Sequence, residues 1–228
     1  MEPSDSLIFE VSLRGKPTQL DEINVRQNGQ RVMIESSRQS SNISISGSNI
    51  SIGGAIIGGS ISINGMVIGG GRGVTIIGGG SSEPDVTITV SVPIGTKIIA
   101  DGDWHSLIVG NTNGDLSINN SGNGGVTAGT VKNVEVDIHS SASAAIQEVN
   151  GDASIHIHGS GDVDVNGGNI SQLNVSIHGS GDVKISAEAK NARLSIHGSG
   201  KIYVRSVLNR PEKTVRGSGT AIVGNWKH

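Results

Sequence analysis

The chain has 228 residues, of which 35 are glycine, 34% are hydrophobic and only 2% are aromatic. This composition disfavours a compact sandwich, whose core would need several Phe, Tyr or Trp, and favours a core of small branched side chains. The formal net charge of −3, without a basic stripe, gives no footprint for nucleic acid or an anionic membrane. The absence of cysteine excludes disulfides and thiolate metal sites.

The first residues, Met1 to Ser6, lack the basic region and the apolar run of a secretory signal peptide. No stretch reaches the roughly 18 apolar residues that a membrane span needs. We therefore expect no membrane span. The compartment stays open between the cell surface, the cytoplasm and a virion.

Residues 1–41 are predicted to form an N-terminal β-hairpin cap. Residues 6–13 alternate like a strand, and residues 23–34 are typical of a hairpin that turns at Asn28-Gly29, a pair that suits the twist of paired strands. A cap over the first coil would shield its strand edges from aggregation. A docking module is the alternative.

Residues 42–82 form a second segment, rich in Ile and Gly, in which Arg72 is the only charged residue. An unpaired segment this apolar would aggregate, so we predict short strands joined by glycine bends, as a narrow β-helix or as a flat sheet between chains. This segment is the predicted site of self-association. The third segment, residues 83–228, opens with an alternating strand that ends at Pro93.

One short sequence recurs through this third segment. His139, His158, His178, His197 and Arg216 stand 19 or 20 residues apart, and Gly-Ser-Gly follows each of the last four. A fixed period in this range indicates a solenoid, in which each unit buries its apolar face against its neighbours. Residues 99–102 and 118–122 are predicted to be degenerate early coils, equivalent to each other and spaced by 19 and 20 residues before the His139 rung. They extend the repeat to about seven rungs, and Trp104-His105 is predicted to lie in a loop.

Each repeat predicts two strands and a bend. Leu173, Val175 and Ile177 alternate with polar residues, and a period of two indicates a strand. Gly-Ser-Gly then predicts a bend, because glycine tolerates the positive φ that a tight bend needs. A second short strand follows the bend. With no room for a helix, the predicted fold class is all-β, a right-handed parallel β-helix of 19–20 residues per coil, with coils about 4.8 Å apart.

These bends resemble the GIN, or head, domain of a bacterial adhesin-like family, a β-helical domain with recurring Gly-Ser-Gly-Asp bends. Residues 159–162 and 179–182 match that motif, whereas Lys201 and Thr220 replace the Asp in the last two bends. The resemblance covers residues 83–228. It implies a parallel β-helix and an adhesin-like protein of the cell surface or exterior.

A ladder of histidines is the main candidate site. His139, His158, His178 and His197 should stack on one outer face that ends in Arg216, and Asp162 and Asp182 run beside them; these seven residues are the candidate binding face. Like charges about 5 Å apart should lower the imidazole pKa values and leave most rings neutral at pH 7. The favoured interpretation is a polar column that repeats because the coil repeats. A metal-binding or pH-responsive surface is the alternative, although the ligands in a ladder diverge.

Catalysis is disfavoured. Polysaccharide-cleaving β-helices need paired carboxylates or a base in a groove and usually aromatic platforms, whereas this chain has one Tyr, one Phe and two Trp. His-Gly-Ser-Gly recurs at three rungs, as a bend would, and no hydrolase, zinc-protease or P-loop motif occurs. We predict no catalytic residue, metal or cofactor, and we expect Trp226 to plug the C-terminal end.

The predicted function is that of a non-enzymatic, adhesin-like surface or appendage protein, whose repetitive polar face binds a surface glycan or protein. The alternative is a structural building block of a virion or filament, assembled by stacking chains through residues 42–82 or the helix ends. A polysaccharide-active β-helical enzyme is the third class. Self-association is expected, and binding of nucleic acid is not.

Overall fold

The computed structural model is an all-β chain whose C-terminal part is a parallel solenoid. It describes residues 10–15, 23–28, 31–36, 42–46, 49–55, 59–63, 74–76, 86–91, 94–103 and 106–226. The first strands are β1 (Glu10–Gly15), β2 (Ile23–Asn28), β3 (Arg31–Ser36), β4 (Asn42–Ser46), β5 (Asn49–Ala55), β6 (Gly59–Ile63), β7 (Val74–Ile76) and β8 (Val86–Ser91). The described residues contain no helix with the length and hydropathy of a membrane span.

The solenoid strands follow, and the described residues between them contain no helix. They are β9 (Lys97–Asp103), β10 (Ser106–Val109), β11 (Leu116–Asn120), β12 (Gly125–Val131), β13 (Val134–Ile138), β14 (Ser143–Val149), β15 (Ala153–Ile157), β16 (Asp162–Val165), β17 (Asn169–Gly179), β18 (Asp182–Gly198), β19 (Lys201–Val207), β20 (Glu212–Gly217) and β21 (Thr220–Trp226).

Two parallel ladders form the main faces of the solenoid. The first face consists of β9, β11, β13, β15, β17, the second half of β18, and β20. The second face consists of β10, β12, β14, β16, the first half of β18, β19 and β21. A short third side pairs residues 188–189 with 206–207. The all-β parallel solenoid of about seven turns is therefore confirmed.

The coil length differs along the solenoid. On the first face, equivalent residues are 19 or 20 apart from β13 onward, as predicted, but only 18 apart before it. Ile118 pairs with Ala100 and Val136. The prediction that Ile118 is equivalent to Ile99 and to Ile138, the residue before His139, is therefore wrong. The early bend is shorter because buried Asn120 closes it: its Nδ2 donates to the Gly124 carbonyl at 3.0 Å, and its Oδ1 accepts from the Gly122 amide at 2.9 Å.

The core consists of columns of equivalent residues from successive coils. Every buried apolar residue among those described is Val, Ile, Leu or Ala. Asn120 stands at the N-terminal end of one column, which continues through Ile138, Ile157, Ile177 and Ile196. The alternation predicted from sequence thus has the correct faces, since Ile177 and Ile196 are fully buried.

The two glycines of the Gly-Ser-Gly bend have different roles. The first adopts a left-handed conformation at Gly179 and Gly198, with φ of +143° and +138°, as the sequence predicts. The second is required by close packing, because a Cβ on Gly181 would lie 2.1 Å from the carbonyl oxygen of Gly161 in the preceding coil. The bend therefore fixes both the turn and the approach of one coil to the next.

The N-terminal strands extend the two faces. Strands β2 to β5 form an antiparallel meander, and β5 pairs in parallel with β9, while β6 pairs with β8 and β10. The strands within residues 42–82 thus pair inside the chain. The predicted hairpin is present, but Asn28 pairs with Arg31, so it closes one residue later than predicted. Residues 6–9 and Trp104-His105 lie outside the described residues, and the division into three domains stays a prediction.

A charge in the Ile177 column should unfold the solenoid. Ile177→Asp would bury a carboxylate with no partner, at an expected cost of more than about 4 kcal/mol, and neighbouring coils would lose their support. Circular dichroism and urea denaturation would measure the loss. Ser176→Asp is the control, because Ser176 faces outward on the same strand. A folded, soluble Ile177→Asp variant would contradict the assignment of the core.

Candidate histidine ladder

The structure stacks the four predicted histidines in one column. Each follows an apolar residue of the first face, and parallel pairing places His178 directly over His197. Ring centroids lie 5.2 Å apart between His139 and His158, 5.2 Å between His158 and His178, and 4.8 Å between His178 and His197, with the planes within 12° of parallel. The spacing is close to the distance of about 4.8 Å between paired strands.

The ladder lies on the surface and ends in a permanent cation. The side chains of His139, His158 and His178 are exposed and that of His197 is half-buried. Arg216 pairs in register with His197 and is exposed, so it extends the column on the C-terminal coil. The Nδ1 atom of His197 is buried and has no hydrogen-bond partner among the described residues. Because all the side chains of the column except His197 are exposed, a binding partner can reach the column along most of its length.

The pKa of His158 is lowered from its ordinary value. The largest cause is burial of the imidazole between its neighbours, and the like charges of His139 and His178 add to it. Asp137 raises the pKa and His156 lowers it further, but neither reverses the shift. The sequence predicted the direction from charge repulsion alone, whereas desolvation comes first.

The two aspartates lie across the bend from the histidines, at the start of second-face strands. Oδ1 of Asp162 accepts the backbone N–H of Asp182 at 2.9 Å, and Oδ1 of Asp182 accepts that of Lys201, also at 2.9 Å. Oδ2 of Asp182 lies 4.0 Å from the Lys201 ammonium. Part of the predicted binding face thus joins successive coils, which explains an Asp at this point of the repeat.

The described residues hold no group of three or more His, Cys, Asp or Glu side chains that could bind a metal ion. Rings that stack in parallel point their nitrogens in similar directions from separate coils, so neighbouring rings do not converge on one point.

A groove that sequence reasoning missed lies on another corner, and we call it the corner groove. Its volume is about 570 Å³, and its polar lining includes Asn166, Asn169, Glu188, Arg205 and Asn225, together with Trp226. Trp226 pairs with Val207 and so continues a core column at the C-terminal end, as a plug would, but it is 37% exposed. The available sequence signal was the number of residues at this corner, which differs between successive coils.

Protonation of His158 should destabilise the fold. Because its folded pKa lies below the ordinary 6.5, the unfolded chain binds the proton first, and the free energy of unfolding falls as the pH drops below about 6.5. Urea midpoints at pH 7.5 and 5.0 measure the fall, and His158→Asn should make it smaller. His156→Asn is the comparison variant in the neighbouring column. The predicted sign would be wrong if acidification raised the urea midpoint of the wild type relative to the urea midpoint of His158→Asn.

Comparison with known protein families gives a match. No curated protein and no solved structure is matched by this chain. A family model described as "Putative auto-transporter adhesin, head GIN domain" matches residues 4–206. The match begins well before residue 83, where the resemblance noted from the bends began, and it ends before the last coil. Because the match spans most of the sequence, this chain belongs to the family of the auto-transporter adhesin head GIN domain.

Proposed function

We propose that this chain is a non-enzymatic binding head of the adhesin type, which uses the candidate binding face to hold a surface glycan or protein. Family membership supports the adhesin class. The observation that carries the proposal is the parallel stack of four imidazoles, which repeats one side chain every 4.8–5.2 Å on the outer surface. A repeated partner can contact several rungs at once, so weak single contacts add up.

Within the ladder, His158 suits hydrogen bonding more than charge attraction near neutral pH. Because the pKa of His158 is lowered, its imidazole is mostly neutral there and offers one donor and one acceptor nitrogen. Arg216 adds donors at the C-terminal end of the column, and Ser199 and Ser218 in the adjoining bends are exposed. Such a surface suits a partner rich in hydroxyl or amide groups.

Binding of the purified chain to a glycan array and to immobilised extracellular-matrix proteins tests the proposal. We expect binding to at least one surface, and a loss of about tenfold or more when His158 and His178 are both replaced by Ser. The matched control replaces Asp164 and Lys184, exposed residues of the second face, with Ser. Equal binding by both double variants would contradict the role of the ladder.

Self-association at the C-terminal end is a second candidate function, because the last coil is open. Strand β20 pairs with β18 and β21 with β19, and no described strand covers their other edges. Val215, which continues the Ile177 column, is 41% exposed, and Ile222 is 50% exposed. Unpaired strand edges readily pair with another chain, so we propose that a second copy covers this end.

Light scattering after size-exclusion chromatography tests this assembly. We expect a dimer for the wild-type chain and a monomer for Val215→Asp, since the charge would lie in the apolar end of the core. Thr214→Asp is the control, because Thr214 faces outward on the same strand. A monomeric wild type at tens of micromolar would exclude the assembly.

A further inference from the structure

The corner groove results from a change of register between coils. Val165 pairs with Ile185 and Asn169 with Glu188, so three residues of one coil, 166–168, lie opposite two of the next, 186–187. Ile185 then pairs with Val204 and Glu188 with Ser206, so Arg205 alone lies opposite residues 186–187. The number of residues at this corner thus falls from three to two to one in successive coils, and the groove lies where the corner becomes shorter.

The polar side chains of the corner groove are not used by the protein itself. Among the described residues, none forms a hydrogen bond or an ion pair with the side chains of Asn166, Asn169, Glu188, Arg205 and Asn225. Three amides, a carboxylate and a guanidinium thus face one concave space with their hydrogen-bonding capacity free. All five side chains are exposed, so a ligand can reach them by displacing water.

A second groove, on the first face, contains polar side chains that bind one another and the backbone. It has a volume of about 380 Å³, and its lining includes Asp115, Asn133 and Asp152. Asn133 donates to Asp115 at 2.8 Å, and Asn133 and Asp152 accept backbone N–H groups of Asp152 and Gln172 at 2.8 Å and 3.1 Å. These three side chains therefore join successive coils. The polar side chains named for the corner groove make no such contact and stay available to a ligand.

The chemistry of the corner groove limits its ligand. Amides donate and accept, Glu188 accepts, and Arg205 donates only, so the ligand must offer both donors and acceptors. Trp226 is a partly exposed aromatic residue in the lining, which suits a ligand that also has an apolar face. A pyranose ring combines hydroxyl groups at its rim with C–H groups on its face. The volume is within the range of about 300–1,000 Å³ that is usual for small-ligand sites.

We propose that the corner groove binds a single pyranose unit of a carbohydrate. Glu188, Asn225 and Arg205 would hold its hydroxyl groups, and Trp226 would pack against its C–H face. The site is separate from the candidate binding face, so it does not depend on the function proposed for the histidine ladder.

Saturation-transfer difference NMR on the full chain tests the site with four probes: glucose, galactose, N-acetylglucosamine and glucuronic acid. We expect saturable binding of at least one probe at millimolar concentration. Arg205→Ala and Asn225→Ala should each weaken it, by about tenfold for the charged donor, because each removes a hydrogen-bonding group from the groove. Both side chains are exposed, so neither variant should change the urea midpoint.

Arg210→Ala is the matched control, because Arg210 is an exposed arginine that does not line the groove. It should bind the probe as the wild type does, and so should the variant with His158 and His178 replaced by Ser. Absence of binding by all four probes would overturn the site, as would a probe that binds Arg205→Ala and Asn225→Ala as well as the wild type. Either result would leave the ladder proposal standing, because that proposal is decided on the double-serine variant.

Discussion

Hydrogen bonding between successive coils in a fixed parallel register is the constraint on which the rest of this solenoid depends. Whatever residue stands at a given position meets its counterpart in the next coil at the spacing of paired strands. Isoleucine columns can then fill the core without aromatic residues, and Gly181 can approach Gly161. The same register stacks the four imidazoles nearly parallel. Core and surface ladder are thus two results of one pairing pattern.

The repeat let the sequence predict most of this arrangement. Alternation and period are local properties of the chain, so the buried faces, the number of coils and the positions of the stacked histidines followed from them. The register of the early coils was predicted wrongly because the Asn120 amide satisfies a bend from inside the core, which no pattern of polarity reveals. The corner groove was missed because it depends on how three residues of one coil, 166–168, are matched by two in the next.

Regularity and specificity lie in different parts of this molecule. The histidine ladder is the same from rung to rung, so it suits a partner that is itself repetitive. The corner groove occurs where the repeat is broken, and there an unusual set of side chains meets a single Trp226. Many solenoids combine a uniform scaffold with local exceptions in this way, because an irregular corner disturbs only the neighbouring coils.

The open C-terminal coil has a mechanical consequence. If the chain holds a surface as proposed, it must resist tension. A pull on the end of β21 in a single copy then acts first on the pairing of the last coil, because within the chain that coil pairs only with the coil before it. Each coil that detaches would release 19 residues, or about 60 Å of extended chain, before the next is loaded. The solenoid would then yield by stepwise lengthening, which absorbs a sudden load while the coils nearer the N-terminus stay folded.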